Sequence, residues 1–242
     1  MLIMSIFMTL NIVYTYHHGL RIWREIEYSI LSMRKFLTEK HKIYIIGPIN
    51  PHISDTIFIK SEIDPSKNKE CNCNQSLKKC CDMFDSFLWC NDDMYLLKNT
   101  SKEDLLSIPP LHTLKNYNGK THRAWLILLN NTCKFLRKNG FVDIDNFSTH
   151  TPQYYESKKM KILFDKYPEI LNGEVLVENI YFNHFRPYVE KGRYINKQTE
   201  KLGFYNNQHS YHTIMESLKN KPRFLNHDNK GLTDALKKVI TE

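Results

Sequence analysis

The sequence predicts an α/β fold, a mainly parallel sheet flanked by helices, with a helical C-terminal half. Three observations predict it. Short β-branched and aromatic runs alternate with amphipathic segments through residues 1–100. Strands separated by helices need crossover connections, which make neighbouring strands parallel. Residues 101–242 carry apolar residues at helical spacing and only one strand-like run. The 242 residues are 41% hydrophobic and 25% charged, a globular composition that excludes wholesale disorder. A chain of this length buries roughly 70% of its unfolded surface, so its core needs no disulfide or metal staple. No repeat, low-complexity linker or composition break divides it, so 1–242 is read as one unit.

Residues 11–15 (NIVYT) form the first expected strand, broken by Tyr16-His17-His18-Gly19. A helix follows over 23–37, with Trp23, Ile26, Ile30, Met33 and Leu37 on one face at spacings of three and four. Residues 42–46 (KIYII) are a strand ended by Gly47-Pro48, and 56–60 (TIFIK) are a third. Residues 74–85 read as a helix, and 86–90 (SFLWC) as a fourth strand running into Asn91-Asp92-Asp93. Beyond these, 124–136, 157–167, 178–185, 211–218 and 232–240 read as helices, and 223–226 as a short late strand. Ligands of open α/β sheets bind beyond the carboxyl ends of the strands. That places candidate sites at 14–19 and 91–93.

Lys and Arg number 34 against 26 Asp and Glu, a net charge of +8, which suits a polyanionic partner such as nucleic acid or a phosphorylated donor. The most apolar stretch, 1–16, is interrupted by Ser5, Thr9, Asn11 and Thr15 and is shorter than the ~20 residues of a spanning helix. It also lacks the basic start of a signal peptide. The expectation is therefore a cytoplasmic protein without membrane insertion, in the host cytoplasm if the chain is viral, with Cys71, Cys73, Cys80, Cys81, Cys90 and Cys133 mostly as thiols. Cys71, Cys73, Cys80 and Cys81 resemble a four-thiolate zinc set, but adjacent cysteines on one helix diverge and the spacing is not that of a zinc ribbon.

The most informative segment is 87–96, FLWCNDDMYL. Asp92 and Asp93 follow a buried-type strand and precede another apolar run. Adjacent carboxylates there repel unless a cation is shared, and their oxygens suit Mg²⁺ or Mn²⁺. Such ions keep positions open for phosphate oxygens and neutralise a leaving diphosphate. The same residues also make an ordinary turn or helix cap. His150-Thr151-Pro152 holds a histidine in extended geometry with its ring free for a metal or substrate, or leaves it as a packed surface residue. Arg123, at the start of the 124–136 helix, is a phosphate partner or a solvated first-turn residue. His17, His18, Arg21 and Arg24 are a basic rim for an anion or a solvated helix start.

Taken in chain order, these segments resemble the conserved blocks of the Stealth family of sugar-phosphate transferases. Ile12-Val13-Tyr14-Thr15, followed by Tyr16, His17, His18 and Gly19, is similar to the first block, a hydrophobic pair, Tyr-Thr, an aromatic and a nearby Gly. Glu27-Tyr28-Ser29-Ile30 and Lys42-Ile43-Tyr44-Ile45-Ile46-Gly47 resemble the opening of the second block, and Phe87 to Met94 its end. His150-Thr151-Pro152 resembles the His-x-Pro of the third, and Phe224-Leu225-Asn226-His227-Asp228 the fourth. The likeness touches residues 12–228. The first block departs in carrying His17 and His18 where the family has acidic or Asn residues, and the chain is close in length to a bare catalytic core.

The resemblance implies a GT-A fold and a divalent metal. Residues 1–100 would be the nucleotide-sugar and metal half and 101–242 the acceptor half. Asp92 and Asp93 match the acidic pair, His150 the histidine and Asp228 the late acidic residue. On that reading Asp92, Asp93 and His150 hold Mn²⁺ or Mg²⁺, and Asp93, His150 and Arg123 form the catalytic group. Tyr14, Thr15, Gly19, Arg24 and Asp92 contact a nucleotide-sugar donor, a UDP-sugar first. The favoured acceptor is a hydroxymethylated base in phage DNA, flipped into the cleft. The alternatives are hexose-1-phosphate transfer to a glycan and, from another class, a binding module stabilised by zinc on Cys71, Cys73 and Cys80.

Overall fold

The structure is a computed structural model that describes residues 9–16, 24–115, 124–185, 190, 192–196, 199–204, 211–227 and 234–241. The first half holds β1 (Leu10–Thr15), α1 (Glu25–Phe36), β2 (His41–Gly47), β3 (Ile57–Lys60), α2 (Lys69–Met83), β4 (Ser86–Cys90) and β5 (Met94–Leu96). The second holds α3 (Lys102–Leu106), α4 (Ala124–Lys138), β6 (Gln153–Glu156), α5 (Ser157–Lys166), α6 (Pro168–Leu171), α7 (Val177–His184), β7 (Lys201–Phe204), α8 (Tyr211–Leu218), β8 (Phe224–His227) and α9 (Asp234–Thr241). The main sheet has the order β3-β2-β1-β4-β6, parallel except for β6, which runs antiparallel at the edge.

The strands are buried on both faces, and alternation decides which side chain goes where. Ile12 and Tyr14 of β1, Ile43 and Ile45 of β2 and Leu88 and Cys90 of β4 pack with Ile26, Ile30 and Met33 of α1. Val13, Ile46, Phe87 and Trp89 point the other way, into a larger core built with α2, α4, α5, α6 and α7. Each fully buried aliphatic or aromatic side chain contributes roughly 1.5–3 kcal/mol. That outweighs local capping, so α1 forms although Arg24 at its N-cap makes no side-chain cap bond, an omission worth about 1 kcal/mol.

A second sheet of order β5-β8-β7 packs Tyr95, Leu202 and Leu225 against Ile214 of α8 and Ile240 of α9. Two serines of α1 stitch it to the main body. The Ser29 hydroxyl bonds the Tyr14 hydroxyl and the Met94 carbonyl. Ser32 Oγ accepts from the Leu96 N–H at 3.2 Å.

The expectation of a helical second half is corrected in part. Besides the anticipated late strand, that half supplies the edge strand β6 and β7 of the small sheet. β6 reads QYYE, and its half-buried positions give little apolar alternation. The helix expected over 74–85 starts earlier, at Lys69, because the Asn68 side chain caps it by accepting from the Cys71 N–H at 2.7 Å. Among the described residues, no helix is long and apolar enough to cross a membrane.

Two glycines permit close backbone approaches that orient the carboxyl edge of the sheet. A Cβ on Gly47 would lie 1.9 Å from the Tyr16 carbonyl oxygen. At Gly173 φ is +68°, and a Cβ would lie 2.3 Å from the Cys71 nitrogen. Gly47→Ala and Gly173→Ala should each cost about 1–3 kcal/mol or more by overpacking against backbone. Chemical denaturation measures this, and wild-type stability in either variant would contradict the packing.

Candidate functional site

The sheet order reverses between β1 and β4. The chain lays β2 and β3 on one side of β1 and returns with β4 on the other. In such sheets the crevice opens beyond the carboxyl ends of the strands that flank the reversal. Here those ends are Thr15-Tyr16 and Asn91-Asp92-Asp93. Asp92 and Asp93 form the tight turn between β4 in the main sheet and β5 in the small one, and both are half-buried.

His150 arrives from a different part of the chain, yet its Nδ1 lies 4.0 Å from Asp93 Oδ2. That nitrogen is buried and has no hydrogen-bond partner among the described residues. The extended geometry expected for this histidine is corrected: it sits at φ +48°, because the residue that Pro152 restricts is Thr151, and histidine adopts this left-handed conformation more readily than most residues but at a cost. The surrounding loop is held by α7. Phe147 N–H donates to Asn179 Oδ1 at 2.6 Å, and Asp145 N–H to Asn183 Oδ1 at 3.0 Å. Asn183 Nδ2 returns a bond to the Asp145 carbonyl at 2.8 Å. Burial pushes the His150 imidazole below the ordinary histidine range. Asp93 works against that shift, while the charges of Lys201 and Lys69 reinforce it.

The wall behind Asp93 is also polar. Tyr95 Oη lies 2.8 Å from His227 Nε2, with the two rings stacked. Burial, and then the charges of Asp93, Glu25 and Asp92, hold the Tyr95 phenol above its usual range. Glu25, in the first turn of α1, is 2% exposed. On the side of α2, burial pushes the Glu178 carboxyl up to about 7, against a hydrogen bond from Ser148 at 2.5 Å. Glu178 lies near the His150 loop, since Ser148 is two residues before the histidine and Lys69 at the start of α2 acts on both His150 and Cys73.

Of the expected site residues, the structure brings His150 to within 4.0 Å of Asp93, with Asp92 next to Asp93 in the same turn. Thr15 ends β1 and is buried. Tyr14 is corrected: it is fully buried with its hydroxyl tied to Ser29, so it packs beneath the crevice and offers no ring face to a nucleotide base. Arg24 is exposed and engages Glu27, with Nε to Oε1 at 2.7 Å. Gly19, Arg123 and Asp228 lie outside the described residues, as do His17, His18 and Arg21.

Glu25, Lys201, Glu178 and Ser148 were not singled out from sequence. Lys201 opens a strand of four residues, KLGF, too short for its alternation to stand out. Glu178 and Asn179 carried a usable signal, since Glu178, Asn179 and Asn183 interrupt the otherwise apolar VENIYFNH of α7.

Asp93 Oδ2 and His150 Nδ1, 4.0 Å apart, could offer a divalent cation one oxygen and one nitrogen donor. Among the described residues, no three His, Cys, Asp or Glu side chains group to hold an ion. A cation here would complete its shell with phosphate oxygens and water. Cys71, Cys73 and Cys80, the zinc alternative, belong to no group of three that could hold an ion among the described residues. All six cysteines are free thiols, and the Cys71 thiol bonds the Leu171 carbonyl. Burial raises the Cys73 and Cys80 thiols, and Cys81 to about 12. No family model matches the chain, and no curated protein matches it.

In the metal-free protein, His150 should titrate below the ordinary histidine range, and Asp93→Asn should lower its pKa further by removing the anion that favours imidazolium. NMR titration of the imidazole reads this directly, and a pKa that rises in the variant would contradict the assigned contact.

Proposed function

We propose that this chain is a divalent-cation-dependent transferase with a GT-A-like fold that moves a sugar from a nucleotide diphospho-sugar to an acceptor hydroxyl. The observation that carries this reading is the approach of His150 to Asp93 at the sheet's reversal point, with Asp92 beside it. Asp93 and His150 would hold Mn²⁺, with Asp92 alongside. The ion would neutralise the diphosphate as it leaves. Lys201, buried behind His150, adds positive potential to the same region. Arg24 adds more at the rim once released from Glu27, and Arg123 is the phosphate partner expected from sequence.

The acceptor hydroxyl must lose a proton as the new bond forms. Glu178 is the carboxyl group best suited to take it, because a base is most effective when its pKa lies near the working pH. The acceptor class proposed is a hydroxymethylated base in DNA. The net charge of +8 favours a polyanion, and a flipped base presents its hydroxymethyl group to a crevice.

Incubation with Mn²⁺ and a panel of nucleotide sugars, UDP-sugars first, tests the reading through the nucleotide released. Nucleoside diphosphate is expected, and Asp92→Ala and Asp93→Ala should each reduce its release on the order of 100-fold or more. Nucleoside monophosphate would instead mark transfer of an intact sugar phosphate. Undiminished turnover with both aspartates replaced would overturn the site.

Transfer to DNA carrying hydroxymethylated bases should weaken steeply as salt is added, because phosphate contacts release counterions. Salt-insensitive transfer, or none, would remove DNA as the acceptor.

A further inference from the structure

The side chains behind Glu178 form a hydrogen-bond chain whose direction can be worked out from one end. Asn179 Oδ1 accepts the Phe147 N–H at 2.6 Å, which fixes the orientation of its amide. Its Nδ2 must then donate, and it does so to Ser148 Oγ at 2.8 Å. The Ser148 oxygen being occupied as an acceptor, its own proton points to Glu178 Oε1 at 2.5 Å. Asn179 is wholly buried and Ser148 nearly so, and the chain is further pinned by Ser148 N–H to Asn146 Oδ1 at 3.0 Å. Glu178 Oε1 is therefore held by a donor that is itself fixed in orientation.

We infer that Ser148 and Asn179 are positioning residues that aim the Glu178 carboxylate and hold it in the form able to accept a proton, against an opposing carboxylate at Glu70. This rests on the transferase reading of the site. The surroundings of Glu178 divide by sign. Glu70, at the start of α2, repels the carboxylate and raises its pKa, as burial does. Ser148 lowers it, and so does the backbone N–H of Glu178 itself in the first turn of α7. Cys73 of α2 and Tyr155 of β6 also face it, and their own protons are held more tightly by its charge. Lys69 counters Glu70 from the same turn. Gly173 brings this end of α2 against the approach to α7, with Asn68 Nδ2 donating to the Gly173 carbonyl at 3.2 Å.

Two substitutions should move Glu178 in opposite directions. Ser148→Ala removes a donor to the charged form and should raise the carboxyl pKa by about one unit. Glu70→Gln removes a like charge and should lower it. Carboxyl-detected ¹³C NMR, assigned with Glu178→Gln, reads both shifts without any turnover. The acid limb of kcat/KM for nucleotide-sugar turnover should follow, moving to higher pH in Ser148→Ala and to lower pH in Glu70→Gln. Glu178→Gln should lose turnover yet still bind Mn²⁺ with nucleoside diphosphate. An unshifted Glu178 signal in Ser148→Ala overturns the positioning role. Shifted signals with wild-type turnover in Glu178→Gln overturn the acid–base role alone. A wild-type protein that binds no nucleoside diphosphate and releases none from any donor overturns the transferase reading instead.

Discussion

β1 has a neighbour on each side, and the placing of the candidate site depends on it. Its parallel pairing with β2 runs along the whole strand, and its pairing with β4 joins Ile12, Val13 and Tyr14 to Leu88, Trp89 and Cys90. With every apolar side chain of β1 buried, a one-residue slip would invert both cores. The register is thus fixed by several buried side chains at once. Once it is fixed, the chain leaving β4 must turn beside the end of β1, and the residues of that turn are Asp92 and Asp93. Two carboxylates are held where they would not gather unaided. The absence of a side chain at Gly47 lets the carbonyl of Tyr16 close against β2 at the same edge.

The second constraint is the burial of polar backbone in the loop that carries His150. A buried amide left without a partner costs about 1–3 kcal/mol. α7 meets several such groups with asparagine side chains, Asn179 for Phe147 and Asn183 for Asp145 in both directions. A loop so restrained can keep His150 at a positive φ and its Nδ1 buried opposite a carboxylate. The residue before Asn179 in α7 is Glu178. One helix therefore restrains the loop of His150 and presents a carboxyl group whose proton is poised near neutrality.

Much of the sheet was legible because its strands are apolar on both faces and end in sharp breaks. The run SFLWC and the stop at Asn91 mark β4 residue for residue. The turn of aspartates was legible for the same reason, since charged residues directly after a buried strand must emerge at its carboxyl end. β5 escaped notice because three residues carry no periodicity, and its place depends on Ser29 and Ser32 of α1. Tyr14 was misjudged because an aromatic near a strand end reads alike whether it faces a crevice or a helix; the packing of α1 makes the choice. Lys201 was invisible as a site residue because its role comes from contacts far apart in sequence, whereas Glu178 stood out only as a polar break in an apolar helix. His150 could be marked as a candidate, but nothing local to it specifies Asp93 as its neighbour.

The site sets opposite charges around one imidazole. Asp93 favours its protonation, while burial and the charges of Lys201 and Lys69 oppose it. A neutral ring is the state in which histidine binds a metal. The most direct test is Mn²⁺ uptake followed by electron paramagnetic resonance, with and without UDP. The wild-type protein should take up Mn²⁺ when UDP is present, and Asp93→Asn and His150→Ala should each abolish the uptake while keeping the fold. Mn²⁺ that stays free beside wild-type protein and UDP, or uptake unchanged in both variants, would contradict the proposed cation site.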